Sequence, residues 1–317
     1  MAPLSGPPRP IYVGSGDDGR LVPPNWLEQA PVTRMSIALS VAVFVVQIGL
    51  TGGRSIMHLP EGEGLSFGAS YSLAVLGERR WETLVTACFL HDGLLHVGFN
   101  MLALWMAGPI VERAVGSARM APLYVGAGAF GNLLSVAHSW VVRSAQLTVG
   151  ASGAISGVIA AALVLGWRTQ GWRGPLTQAM GRWLLFVFAF GLMSRFGGGN
   201  VDNAAHFGGA LAGATIALTW RRGRSYSRRA TSVAVGSCAA VLAACVAIVA
   251  VHDRYDRFAR MTLEDRADFT NEALSEGRCD DAIAGLAAAQ RLRANLSPLT
   301  SLRNRVNETC PFAEQSP

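Results

Sequence analysis

The chain has no lysine: all 27 of its basic residues are arginine. Charge of either sign is scarce, at 15 % of 317 residues, where a soluble domain carries roughly 25 %. That shortage argues against an ordinary soluble enzyme and against a disordered chain. What fills the space is apolar: 50 % of residues are hydrophobic, and the mean hydropathy is +0.31. The composition suits an all-α polytopic membrane protein. A formal charge of +6 invites a nucleic-acid reading, but the placement of the arginines at the ends of apolar runs decides against a nucleic-acid partner.

A helix needs about 20 residues to cross the hydrocarbon core of a bilayer. Charge-free or nearly charge-free runs occur at 35–53, 93–111, 120–142, 144–167, 178–194, 203–220 and 231–251. The fifth is the shortest and requires Arg182 to reach the interface. The sequence therefore predicts seven spans with the lipid bilayer as their solvent. No internal repeat and no proline-interrupted span is expected. With the N-terminus inside, the inner segments hold 13 arginines against 5 in the short outer loops 54–92, 143 and 195–202, which favours that orientation. The run Arg221-Arg222-Gly-Arg224 to Arg228-Arg229 reads as a stop-transfer anchor. The expected location is a plasma membrane, a bacterial inner membrane, with the C-terminus outside.

The divisions follow from these runs. Residues 1–33 are rich in Pro and Gly and read as a disordered inner tail without a signal-peptide pattern. Residues 34–220 form a six-span core, 221–230 a basic inner loop, 231–251 a seventh span and 252–317 an outer helical tail. In that tail Ala273, Leu274, Ala282, Ile283, Leu286, Ala289 and Leu292 recur at helical spacing. They predict a helical hairpin, with Gly277 ending one helix and the next starting near Asp280. Cys279 and Cys310 are its only cysteines, and a disulfide between them is plausible if the tail faces an oxidising compartment. Cys88, Cys238 and Cys245 read as buried small hydrophobes.

Polar groups inside spans are costly and mark function by default. Three clusters stand out. The first is His91-x4-His96-x3-Asn100. His96 and Asn100 share one helix face, whereas five residues put His91 about 140° away from His96, a poor arrangement for a metal. The second is Gly150-Ala151-Ser152-Gly153, and the third Ala205-His206 followed by Gly209 and Gly213. Each alone has a bland reading: interfacial histidines, a packing serine, a satisfied histidine. Together they say more. Gly153-x3-Gly157 and Gly209-x3-Gly213 are small-residue ridges that let two helices approach backbone to backbone. Pairing the ridges would bring Ser152 and His206 to similar depth, near His96 and Asn100.

Such a set permits acyl chemistry. A serine hydroxyl is a weak nucleophile until a base takes its proton, and histidine suits that task near neutral pH. Attack on an amide creates an oxyanion, which Asn100, His96 and the Ser152 N–H could hold. Asp202, four residues before His206, reads as a cap or loop residue more than as a helper, so the arrangement is a dyad.

In order and spacing, these motifs resemble those of the rhomboid family of intramembrane serine proteases, over about 54–220 plus the first span. The resemblance implies Ser152 as nucleophile, His206 as base, and His96, Asn100 and the Ser152 amide as oxyanion hole. His91, Gly150, Gly153, Gly209 and Gly213 match supporting motif positions, and Glu112 with Gly116 matches a structural ExxxG. The seventh span resembles the six-plus-one variants. Two departures stand out. Where members often carry Trp-Arg, this chain has Glu82 and Thr83, with Arg80-Trp81 just upstream. Where many carry an aromatic residue four positions after the nucleophile, it has Ser156. The resemblance implies single-span membrane proteins as substrates and no metal or organic cofactor. The short fifth span with Gly191 and Gly197-Gly198-Gly199 is expected to be a lateral gate. The alternatives are an inert relative that binds clients, though such proteins usually lack the Ser or the His, and a proton-coupled transporter, which predicts repeats and broken helices.

Overall fold

The computed structural model describes residues 30–142, 147–194, 196, 201–221, 226–292 and 297–310. Residues 1–29, Arg143, Gly197 to Gly199 and Arg222 to Arg224 lie outside the described residues.

Seven apolar segments carry helices: α1 (Pro31–Leu50), α2 (Leu94–Val115), α3 (Ser117–Val141), α4 (Ser152–Gln170), α5 (Pro175–Ser194), α6 (Asn203–Thr219) and α7 (Arg228–Tyr255). Among the described residues six of them are long and apolar enough to cross a membrane; α6, with 17 residues, is the short one. The protein is thus an all-α polytopic membrane protein.

Local chemistry sets the helix ends. Pro31 opens α1, where its missing N–H costs nothing. Glu112 of α2 then caps that helix from outside: its carboxylate accepts the Val32 N–H at 2.9 Å, the Thr33 N–H at 2.8 Å and the Ser117 hydroxyl at 2.6 Å. One buried carboxylate thereby joins α1, α2 and the start of α3. Gly116, at φ +81°, ends α2 and begins α3, a conformation that favours glycine. Pro109 lies inside α2 and Pro122 inside α3, and both helices run through their proline uninterrupted.

The fourth helix starts later than expected. Helix was expected from Ser144, but Leu147–Thr148 form a short strand, β2, and α4 begins at Ser152. β2 pairs antiparallel with β1 (Ser70–Tyr71), Ser70 opposite Thr148. Lipid would not tolerate an open strand, and pairing with the long loop between α1 and α2 satisfies it. That loop folds into short helices, Glu61–Phe67, Ser72–Gly77 and Thr83–Thr86.

The centre of the molecule is a seam of small residues. A methyl group on Gly209 or Gly213 of α6 would overlap the carbonyls of Gly153 and Gly157 of α4, in that order. The two helices therefore run parallel with their ridges in register. Helix α3 crosses them in the opposite sense: a Cβ on Gly131 would stand 2.7 Å from Ala205 O, and Ala127 fills the space beside Gly157. Close approach of this kind yields dense van der Waals contact where no water is available to drive association.

The tail holds the expected hairpin, α8 (Leu263–Ser275) and α9 (Cys279–Leu292) on either side of Gly277, and a third helix that was not expected, α10 (Ser297–Thr309). Leu299, Leu302 and Val306, at i, i+3 and i+7, pack on Leu286 and Ala289, a period that was present in the sequence. A disulfide joins Cys279 to Cys310. The tail docks on the long loop. Leu292 packs with Leu65, Tyr71, Leu73 and Ala74. The side chain of Arg266 is 1 % exposed and pairs with Glu78 at 2.5 Å while donating to Phe258 O and Ala288 O, each at 2.8 Å. The departure at Glu82 belongs to this junction: Glu82 is buried and faces Arg80 at 3.5 Å and His252 of α7 at 3.1 Å.

Candidate active site

Ser152 is the first residue of α4, so its backbone N–H lies among the unpaired donors at a helix N-terminus. The residues before it are shaped by glycine. Gly150 sits at φ +122° and donates its N–H to Ala87 O at 2.9 Å. A side chain there would strike His96: a Cβ would stand 2.7 Å from His96 Nε2 and 3.7 Å from Asn100 Nδ2. Glycine at this point thus leaves open the space that both side chains of α2 face.

His96 is held in one tautomer. The Asp92 N–H donates to His96 Nδ1 at 3.2 Å, so in the neutral ring the proton resides on Nε2, the atom turned towards Gly150. Asp92 is itself fixed by the Leu59 N–H at 2.6 Å and by His58 at 2.7 Å. Asn100 Nδ2 is buried without a hydrogen-bond partner. Two donors therefore converge beside the turn into α4. His91 stands apart from them. Its backbone N–H and C=O exchange two 3.2 Å hydrogen bonds with the Gln47 side chain of α1, and its ring rests edge-on against His96 at 5.3 Å. It acts as a wall behind His96. Among the described residues no cluster of His, Cys, Asp and Glu could hold a metal ion.

His206 lies in the first turn of α6 and is 6 % exposed. Its Nδ1 is buried without a hydrogen-bond partner, and the ionisable groups it faces are Asp202 and His96. The seam brings it to Ser152: Gly153, next to Ser152, faces Ala205, next to His206, at 3.3 Å from a built Cβ to the Ala205 carbonyl oxygen. The Ser152 hydroxyl and the His206 ring do not hydrogen-bond each other; such contacts often tighten only when substrate binds.

Sequence reasoning missed two features. It read Asp202 as a cap or loop residue more than as a helper, yet its carboxylate also accepts the hydroxyls of Thr148 and Ser135. It did not find the bond from the Asp92 N–H to His96 Nδ1, because a backbone donor leaves no mark in the sequence.

A rhomboid domain family matches residues 78–223 of this chain. Rhomboid protease GluP of Bacillus subtilis is 31 % identical over 202 residues, 63 % of this chain and 37 % of that protein. Rhomboid-like protease 1 of Toxoplasma gondii is 31 % identical over 196 residues, 60 % of this chain and 65 % of that protein. Rhomboid protease AarA of Providencia stuartii is 30 % identical over 208 residues, 60 % of this chain and 72 % of that protein. The chain thus spans about a third of the first of these relatives and under three quarters of the others.

Proposed function

Because this chain belongs to the rhomboid family, we propose that it is a serine endopeptidase that cleaves membrane proteins within the bilayer. The observation that carries the reading is the interlock of Gly153 with Ala205 and Gly209, which holds the segments bearing Ser152 and His206 against each other. In this reading Ser152 Oγ attacks a peptide carbonyl while His206 takes its proton. His206 then passes that proton to the departing amine. Water hydrolyses the acyl-enzyme by the reverse use of the same base. His96 Nε2, Asn100 Nδ2 and the Ser152 N–H receive the oxyanion, each such donor being worth about 3–4 kcal/mol in serine proteases. The dipole of α4 adds to the same stabilisation. No metal or organic cofactor enters this scheme.

The substrates in this reading are single-span proteins cut near the outer part of their span. A peptide bond in a helix is shielded by its own hydrogen bonds, so small or helix-breaking residues near the scissile bond favour cleavage. The protein sits in a plasma membrane with its N-terminus inside and its tail outside. Helix α5 serves as the lateral gate: of the candidate spans in the helical core it is the least buried, and Leu185, Phe186 and Phe190 point outward.

The test is cleavage of a single-span reporter in proteoliposomes by wild type, Ser152→Ala and His206→Ala. Loss of cleavage by a factor of about 10⁴ or more in both variants is expected, since members of such a set act as a unit. Cleavage that survives Ser152→Ala would overturn the mechanism. A fluorophosphonate probe should label wild type and leave Ser152→Ala unlabelled.

A further inference from the structure

Asp202 lies one helical turn before His206, and Thr148 lies four residues before Ser152. The carboxylate joins the two segments. Its Oδ1 accepts the Ala205 N–H at 2.9 Å and so caps α6. Its Oδ2 accepts the hydroxyl of Thr148 in β2 at 3.0 Å and that of Ser135 in α3. Ser135 and Thr148 in turn stand 3.0 Å apart, and both are buried. We infer that Asp202 is a positioning residue for the proposed dyad: one carboxylate sets the distance between the Ser152 segment and the His206 helix, with α3 as the fixed point. The inference rests on the dyad reading above.

A cap alone would not need this arrangement. Capping uses one oxygen, and serine, threonine or asparagine serves as well as aspartate. The second oxygen is committed to groups outside α6. Charge-assisted hydrogen bonds to a carboxylate are roughly twice as strong as neutral ones, and the site is buried, where such bonds gain further strength. The strand pairing reinforces the same link, because Thr148 is opposite Ser70 in β1. The turn from Thr148 through Gly150 to Ser152 is therefore held at one end by the sheet and Asp202, and in its middle by the Gly150–Ala87 hydrogen bond.

The two jobs separate by substitution. Asp202→Ser keeps an oxygen for the cap and loses the bridge. Asp202→Asn keeps both, since its amide oxygen can cap while its N–H groups donate to the two hydroxyls. Thr148→Val cuts the bridge on the far side and leaves the cap untouched. Each variant is measured for reporter cleavage in proteoliposomes, for fluorophosphonate labelling rate and for thermal unfolding. Asp202→Ser should stay folded, with some loss of stability, but label and turn over at least about tenfold more slowly, since small misplacements of reacting groups cost up to about 10²-fold. Its KM should change by less than about twofold, because substrate binding is not involved. Thr148→Val should repeat the loss, and Asp202→Asn should restore most of the rate. Should Asp202→Ser fail to fold, Thr148→Val decides the matter alone. Wild-type labelling and kcat in folded Asp202→Ser or in Thr148→Val would overturn the inference. Ser152→Ala, run in parallel, separates the two claims: an active Ser152→Ala removes the dyad itself, whereas an inactive one beside a fully active Asp202→Ser removes only the positioning role.

Discussion

Helices α4 and α5 are neighbours of nearly equal length and hydropathy, yet they live in different surroundings. Of the apolar stretch of α4, 67 % is buried inside the protein, against 17 % for α5. Their sequences explain the contrast through residue size more than through polarity. Helix α4 is rich in Gly, Ala, Ser and Val, so that α3 and α6 reach its backbone. Helix α5 carries Leu185, Phe186, Phe190, Leu192 and Met193 on faces that point away from the protein. In lipid a large apolar side chain gains nothing by choosing protein over acyl chain, and small residues allow the close packing that holds helices together. Small-residue faces thus mark where helices lock together, and bulky ones where lipid takes the place of protein; the proposed gate lies on the second kind.

Three measurements press on that contrast. The largest effect is expected from Gly209→Leu. Its side chain meets the Gly153 carbonyl, an obstacle of backbone that cannot swing aside, so α4 and α6 must separate. Overpacking costs about 1–3 kcal/mol or more, and cleavage should fall by about 10²-fold or beyond through misplacement of the site. Unfolding in mixed detergent micelles reads the first quantity and the reporter assay the second. Normal stability and activity would show that the seam is not rigid.

The second measurement joins the outer ends of α2 and α5 by an engineered disulfide. Cleavage of membrane substrates should stop, while labelling by a small fluorophosphonate continues and unfolding is unchanged. Unaltered cleavage would remove the gate from α5 and leave the seam as it is. The smallest effects come from a matched pair. Ala161→Val in α4, where the side chain is fully buried, should cost about 1–3 kcal/mol by overpacking. Leu185→Ala in α5, 68 % exposed, should stay within about 0.5 kcal/mol. Equal costs at the two positions would erase the distinction between the helices.

Much of the site could be read from the chain because its motifs are polar exceptions in apolar surroundings. Ser152, His206, His96 and Asn100 each interrupt a run that lipid would otherwise leave featureless, and the glycine ridges announce where backbones meet. The helices were legible for the same reason, down to α6, whose 17 residues begin at the expected position. The start of α4 was not legible, because residues 144–151 are as free of charge as the helix that follows; pairing with β1 makes Leu147–Thr148 a strand. The third tail helix was missed although Leu299, Leu302 and Val306 carried its period, since Gly277 and the Cys279 region drew attention to a two-helix unit.

The sequence alone determined that this chain is a helical membrane protein, how many apolar segments it has, and which few polar residues interrupt them. Those properties follow from hydrophobicity and local spacing, which each segment carries by itself. Tertiary structure decided which ridges meet, how Asp202 spans three elements, and how the tail seats Arg266 on Glu78. A span apolar all round gives little sign of which face it turns to protein and which to lipid. That choice arises only when the small faces of several helices close on one another.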